Sequence, residues 1–184
     1  MSILEPRTRE LDTGFDDPCE LLLSCHDKVR RFTQLALRIV DHIKTHGADE
    51  QASEAASRIL RYFRMAAPLH HEDEEKDIFP ALAALTEEQL SAEQAQALAE
   101  HMDILLQEHE ILEKEWHVIE KWLDGLEKYQ LLAVPQQLPA FVDRYDAHMH
   151  REQSEVFPHI ALLSDEQRHE ICLQMALRRG LTPS

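Results

Sequence analysis

Two stretches of this chain repeat one arrangement of residues able to bind a metal. His70 and Glu74 stand four apart and are followed by Phe79-Pro80; His148 and Glu152 stand four apart and are followed by Phe157-Pro158. Both read His-x-x-x-Glu-x-x-x-x-Phe-Pro. Residues four apart on a helix share one face, one turn above the other. Each copy therefore aims an imidazole and a carboxylate the same way, as a helix presents two ligands to a metal centre. Three further His-x-x-x-Glu pairs occur, at 46/50, 71/75 and 109/113. The first spans Gly47 and does not lie on one helix. His71/Glu75 sits about 100° round from His70/Glu74, and its helical neighbour Arg64 predicts a flank or surface position. Glu113 falls beside the apolar stripe of its helix.

The elements that must position these groups are legible from periodicity. Asp17-Pro18 is an N-cap followed by proline in the first turn. Leu22, Cys25, Val29, Phe32, Ala36, Ile39 and Ile43 then recur at helical spacing until Gly47, with His26 on the flank of that stripe. A second helix from near Asp49 carries Ile59, Leu60, Phe63, Ala67, His70, Glu74, Ile78 and Ala81, with Pro68 predicting a kink and Phe79-Pro80 an end or bend. Thr86/Gln89 and Ser91/Gln94 are successive capping boxes. The second opens a third helix whose stripe is Leu98, Met102, Leu105, His109, Leu112, Trp116, Ile119, Leu123 and Leu126. His109 occupies a core position there. After Pro135 a fourth helix spans about 136 to 163, its inward stripe containing Leu138, Phe141, Tyr145, His148, Glu152 and Val156. Ser164 with Gln167 caps a short fifth helix ending at Gly180. Four long helices with short links predict an all-α, antiparallel up-down four-helix bundle. The domain reading is a loose arm over 1–16, the bundle over 17–163, and a C-terminal helix and tail over 164–184 packed on it.

Burying an unpaired carboxylate or imidazole costs several kcal/mol. This chain places two His/Glu pairs among apolar positions, adds His109 in a third stripe and sets His26 beside a fourth. Hydrogen-bonded His–Glu pairs are the bland alternative, but four helices contribute at once, and a metal centre satisfies all six groups together. Ferritin-like carboxylate sites use Glu-x-x-His with lone glutamates on the other helices. Here the histidine comes first, the spacing is four, and the lone groups are histidines, which disfavours that class.

His26, the two His/Glu pairs with their Phe-Pro endings, and Glu108-His109 resemble the hemerythrin HHE cation-binding family over roughly residues 17 to 160. The resemblance implies a hemerythrin-like bundle with a non-haem di-iron centre, oxo- or hydroxo-bridged. By position, His26, His70, His109 and His148 would be terminal ligands, and Glu74 and Glu152 would bridge the two irons. The order of a lone histidine followed by a His/Glu pair occurs twice, so a pseudo-twofold site is expected. Oxygen-carrying hemerythrins are expected to pair two histidines on the third helix and to place His-x-x-x-x-Asp on the fourth. This chain instead has Leu105 four before His109, and glutamate at spacing four on the fourth helix. Its four His and two Glu are similar to the iron-sulfur-cluster repair proteins, whose cysteine-bearing N-terminal domain is missing from this sequence. Two octahedral metals have roughly 12 positions; the implied ligands and bridge leave about two for water, dioxygen or nitric oxide. Cys25, His71 and Tyr145 are candidates to orient ligands or tune the potential, with packing the alternative for each.

Composition narrows the classes. A formal charge of −16 over 184 residues argues against nucleic acid and anionic membranes as partners. No apolar run reaches the roughly 20 residues that span a bilayer. Residues 1–15 lack the pattern of a signal peptide. Three cysteines without CxxC pairing predict a reducing cytoplasm. No nucleophile motif such as Gly-x-Ser-x-Gly is present, so hydrolysis has no support, and whether the protein is an enzyme stays open. The expected function is binding of dioxygen or nitric oxide, or redox sensing. Iron storage or donation, including cluster repair, is the alternative, and a helical interaction module with a structural metal is a third. A bundle with a fifth helix could pair as a homodimer.

Overall fold

The computed structural model describes residues 17–181. The elements are α1 (Pro18–His46), α2 (Glu50–Asp73), a π-helical turn (Glu74–Ile78), α3 (Phe79–Ala83), α4 (Ala92–Glu127), α5 (Leu138–Arg151), a second π turn (Glu152–Val156), a 3-10 segment (Phe157–Leu162) and α6 (Asp165–Arg178). The arm read over 1–16 lies outside the described residues. Among those residues there is no strand, and no helix is long and apolar enough to cross a membrane. The all-α bundle expected from periodicity is the fold observed.

The caps explain the helix limits. Asp17 accepts the backbone N–H groups of Cys19 and Glu20, and Gly47 ends α1 at φ +71°, a conformation L side chains rarely adopt. Ser91/Gln94 and Ser164/Gln167 form full capping boxes at the starts of α4 and α6. Thr86 and Gln89 close a turn rather than a helix, through a 3.1 Å bond from the Thr86 N–H to Gln89 Oε1. The helix expected from about Gln136 begins at Leu138 and gives way after Arg151 to the π turn and the 3-10 segment.

α1 packs on α2, α2 on α4, α4 on α5 and α5 back on α1, closing a ring of four helices. Two apolar layers fill it. One is built from Val29–Ile43, Ala52–Ala67, Leu112–Leu126 and Leu138–Met149. The other joins Leu22, Ile78–Leu82, Leu98–Leu105, Val156–Leu163 and residues of α6. In the gap between them lie His26, His70, Glu74, His109, His148 and Glu152, all buried. The polar groups thus form a slab between two dry layers, within helices whose ends are held by apolar packing.

α6 packs on α1, α2 and the first π turn. It brings Arg178 and Arg179 onto the carboxylate of Asp73, which is 0% exposed. Those guanidiniums are what allow a charged residue to sit buried between His70 and Glu74.

Candidate metal centre

Each His/Glu pair of the repeated frame ends where the helix changes its winding. The Phe79 N–H bonds to Glu74 O, five residues back, and the Phe157 N–H bonds to Glu152 O in the same way. The prolines account for it. Pro80 and Pro158 have no N–H to return to the residue four before them, and their rings crowd that carbonyl in a regular α-helix. Widening the turn relieves the crowding, and single π turns of this kind recur at functional sites. Both π turns begin at a glutamate of the slab, so the Phe-Pro ending and the glutamate's placement are one local feature. It also turns Ile78 and Phe79, and Val156 and Phe157, into the lower apolar layer.

The six groups converge. His26 Nε2 lies 3.0 Å from Glu152 Oε2, and His148 Nε2 lies 2.8 Å from Glu152 Oε1. His70 Nε2 and His109 Nε2 each stand 3.5 Å from an oxygen of Glu74, on Oε1 and Oε2 respectively. His109 Nε2 and His148 Nε2 are 3.2 Å apart. Two ligands roughly 2.1 Å from one metal and at right angles are about 3 Å apart, so these separations match neighbouring positions round a cation. The donor atoms sort into two sets, each lying within 4.8 Å: His26, His70, Glu74 and Glu152, and Glu74, His109, His148 and Glu152. Each set could hold a metal ion, and the two sets share both glutamates.

Both carboxylate oxygens of Glu74 and of Glu152, Nε2 of His26 and Nδ1 of His70 are buried with no hydrogen-bond partner of acceptable geometry. Native interiors seldom leave such groups unsatisfied. Buried carboxylates orphaned this way are compensated by a cation, so the residues present fit a metal centre. The electrostatics agree. Burial, reinforced by the charge on Glu152, pushes Glu74 up to about 8. For Glu152 burial also raises the pKa, but the charge of His148 and the closeness of the His109 and His148 imidazoles outweigh it and hold it well below the usual carboxylate range. His109 rises to about 11, because the nearby carboxylates of Glu152, Glu74 and Glu75 favour its protonated form and overcome the desolvation that would lower it. His148 rises to about 9 by the same balance, with Glu152 and Glu108 opposing burial. His70 is driven well below its ordinary value by desolvation and by His26. Without metal, protons hold the charge of the two glutamates.

Behind the donors stand groups that spacing alone did not single out for this work. Glu75 Oε1 is 2.6 Å from His109 Nδ1, and Glu108 Oε2 is 3.0 Å from His148 Nδ1. Gln153 Nε2 donates to His26 Nδ1 at 2.8 Å. Glu75 was set aside as half of an off-register pair. Its signal was its place immediately after Glu74, which points it across α2 towards α4. Of the flank or surface position predicted for His71, the flank is the one observed: the residue is half-buried. Its ring is stacked on His109 at 4.0 Å and 8°, its Nε2 is shielded without a partner, and desolvation lowers its pKa well below the ordinary value. Adjacent helical positions diverge by about 100°, but the imidazole reaches back over α4. Tyr145 is buried edge-on to Phe141 and His148, and burial raises its hydroxyl pKa. Cys25 belongs to neither donor set; burial raises its thiol, and its backbone carbonyl accepts from Tyr62 at 3.1 Å.

A cavity of about 590 Å³ opens beside this slab, lined by Phe63, His71, Glu75, His109, Trp116 and Tyr145 among others. It touches the His109 side of the centre and none of the His26 side.

Comparison with known proteins agrees with the geometry. An uncharacterised protein of Haemophilus influenzae is 42% identical over 82 residues, which make up 45% of this chain and 46% of that protein, so the chain matches about half of that curated relative's length. The model of the hemerythrin HHE cation-binding domain matches residues 17–160, the span that contributes every helix of the ring and all six convergent groups. On that match the chain belongs to the hemerythrin HHE cation-binding domain family.

Proposed function

We propose that the chain holds two iron ions through His26, His70, Glu74, His109, His148 and Glu152, with both glutamates bridging, and that it binds dioxygen or nitric oxide there or responds to oxidation. The observation that carries this reading is the pair of four-residue donor sets that share Glu74 and Glu152. Imidazole and carboxylate donors without thiolate suit iron among the redox-active metals. A di-iron centre supplies electrons and exchangeable positions for a diatomic ligand. The chain's own residues do the rest: four imidazoles fix the spacing, two carboxylates offset charge, and the two apolar layers exclude water. The cavity of about 590 Å³ against His71 and His109 offers room for a diatomic beside the His109 side.

Aerobic purification followed by metal analysis tests the reading. Two irons per chain with near-ultraviolet oxo-to-iron absorption are expected, and the reduced protein should change its spectrum reversibly with dioxygen or nitric oxide. One zinc, or no metal, would sink it. Iron storage or donation, including repair of damaged clusters, uses the same residues. It is favoured by the unequal support behind the four imidazoles, and facile transfer of iron to an apo-cluster acceptor would select it.

A further inference from the structure

The four imidazoles of the slab are matched in number between the two donor sets but not in what stands behind them. On one side, both histidines have a carboxylate on the nitrogen away from the centre: Glu75 at 2.6 Å from His109 Nδ1 and Glu108 at 3.0 Å from His148 Nδ1. On the other side, His26 meets only the neutral amide of Gln153, and His70 Nδ1 is buried with no partner. A carboxylate behind a ligating imidazole keeps the proton on Nδ1, fixes the ring and makes Nε2 a stronger donor.

The amide behind His26 works in the opposite sense. Gln153 Oε1 accepts from the Arg30 guanidinium at 3.3 Å, so its NH2 group faces His26. An NH2 group only donates, so Nδ1 must accept and the ring proton sits on Nε2. Nε2 stands 3.0 Å from Glu152 Oε2, without the alignment of a hydrogen bond. For His26 to offer Nε2 to a metal, the proton must pass to Nδ1 and the amide must turn over, giving up its bond to Arg30. His109 and His148 need no such rearrangement, since Glu75 and Glu108 already face their Nδ1 atoms.

From this contrast we infer that the two metal positions are unequal, with the His109/His148 position filling first and the His26/His70 position exchanging, and that Glu75, Glu108 and Gln153 set the difference. The inference rests on the two-metal reading above. It makes Glu75 and Glu108 positioning residues of the strong position, and Gln153, held by Arg30, the residue that keeps the other weak.

Titration of the metal-free full chain with cobalt(II), followed by calorimetry and the visible d–d bands, tests it. Two binding steps of unequal affinity are expected. Glu75→Gln and Glu108→Gln should each weaken the stronger step by roughly 10–100-fold, while Gln153→Glu should tighten the weaker one. His26→Ala should retain the strong step, and His148→Ala should lose it. Thermal melts of the metal-free variants separate a local effect from misfolding, and Gln153→Glu supplies a gain that misfolding cannot mimic. Two equal steps, or Glu-to-Gln changes that leave the stronger step untouched, would overturn the inference while leaving the two-metal reading intact. Failure to bind a second cobalt would overturn both.

Discussion

The imidazole of His71 lies parallel to that of His109, ring centres 4.0 Å apart and planes within 8°. A ring nitrogen of His71 also lies within 4.8 Å of ring nitrogens of His109 and His148, so the three could be taken for a metal site of their own. The stack argues otherwise. The lone pair of an imidazole lies in its ring plane, and lone pairs in two parallel planes about 4 Å apart do not converge on one cation. His71 is therefore a wall of the cavity beside the centre, not a donor to the same metal as His109.

Substitution at His71 should separate binding of metal from binding of a diatomic. His71→Ala is expected to keep the full metal content while changing the affinity or the dissociation rate of nitric oxide or azide, because the cavity against His109 is enlarged. Metal analysis and stopped-flow spectra on one preparation read both. Loss of metal in His71→Ala would place it among the ligands and overturn the stacking argument.

The shared glutamates make the opposite prediction. Glu74 and Glu152 belong to both donor sets, so Glu74→Ala should lower occupancy at both positions, whereas His148→Ala removes a group from one set alone. Metal per chain, measured after equal dialysis, should fall further for Glu74→Ala than for His148→Ala. Equal losses would mean that Glu74 serves a single metal.

Much of this site was legible in the sequence because period and chemistry coincide. His70, Glu74, His109, His148 and Glu152 stand at positions where a helix needs a core residue, and an expensive residue in such a place announces a compensating partner. His26 was weaker, being one step off its stripe, yet it is 0% exposed. The π turns were not legible. Phe-Pro announced a break, but whether a proline ends, kinks or widens a helix depends on what its neighbours pack against. Glu75, Glu108 and Gln153 were hidden for a different reason: they act across helices, on histidines 34, 40 and 127 residues away. The stacking of His71 on His109 was not legible either, because a flat side chain on a flank covers more than the direction of its Cα–Cβ bond implies.

Loading the centre should release protons. In the metal-free protein at pH 7, His109 at about 11, His148 at about 9 and Glu74 at about 8 each hold a proton that a cation must displace. Calorimetric titrations in buffers of different ionisation enthalpy should count up to three protons per pair of metals, and apparent affinity should rise with pH up to about 11. The same shifts have a consequence for stability. All three pKa values are raised in the fold, so the folded state binds more protons than the unfolded one above pH 7, and unfolding free energy falls as pH rises. The metal-free protein should melt lower at pH 9 than at pH 7, and metal should narrow that gap. A metal-free melting temperature that rises over this window would contradict the assigned directions.

The last prediction concerns α6, which holds no residue of the slab. Asp73 precedes the bridging-candidate Glu74 in the chain and is completely buried, its carboxylate engaged by Arg178 and by Arg179, whose NH2 lies 2.5 Å from Oδ2. Burial raises the Asp73 pKa in spite of these arginines, so the pair is tight but desolvated. Removing one side of such a pair strands a buried charge, which costs on the order of 3 kcal/mol or more. Arg178→Ala/Arg179→Ala together should therefore destabilise the fold by about that amount, whereas adding Asp73→Asn to the same chain should recover part of the loss, since an amide strands no charge. Because Asp73 leads directly into the first π turn, the double arginine variant should also bind metal more weakly, through a less firmly held Glu74. Denaturant melts of the two variants and the parent chain, with metal content alongside, read both effects. If Asp73→Asn brought no recovery, the loss would lie in α6 packing rather than in the stranded carboxylate.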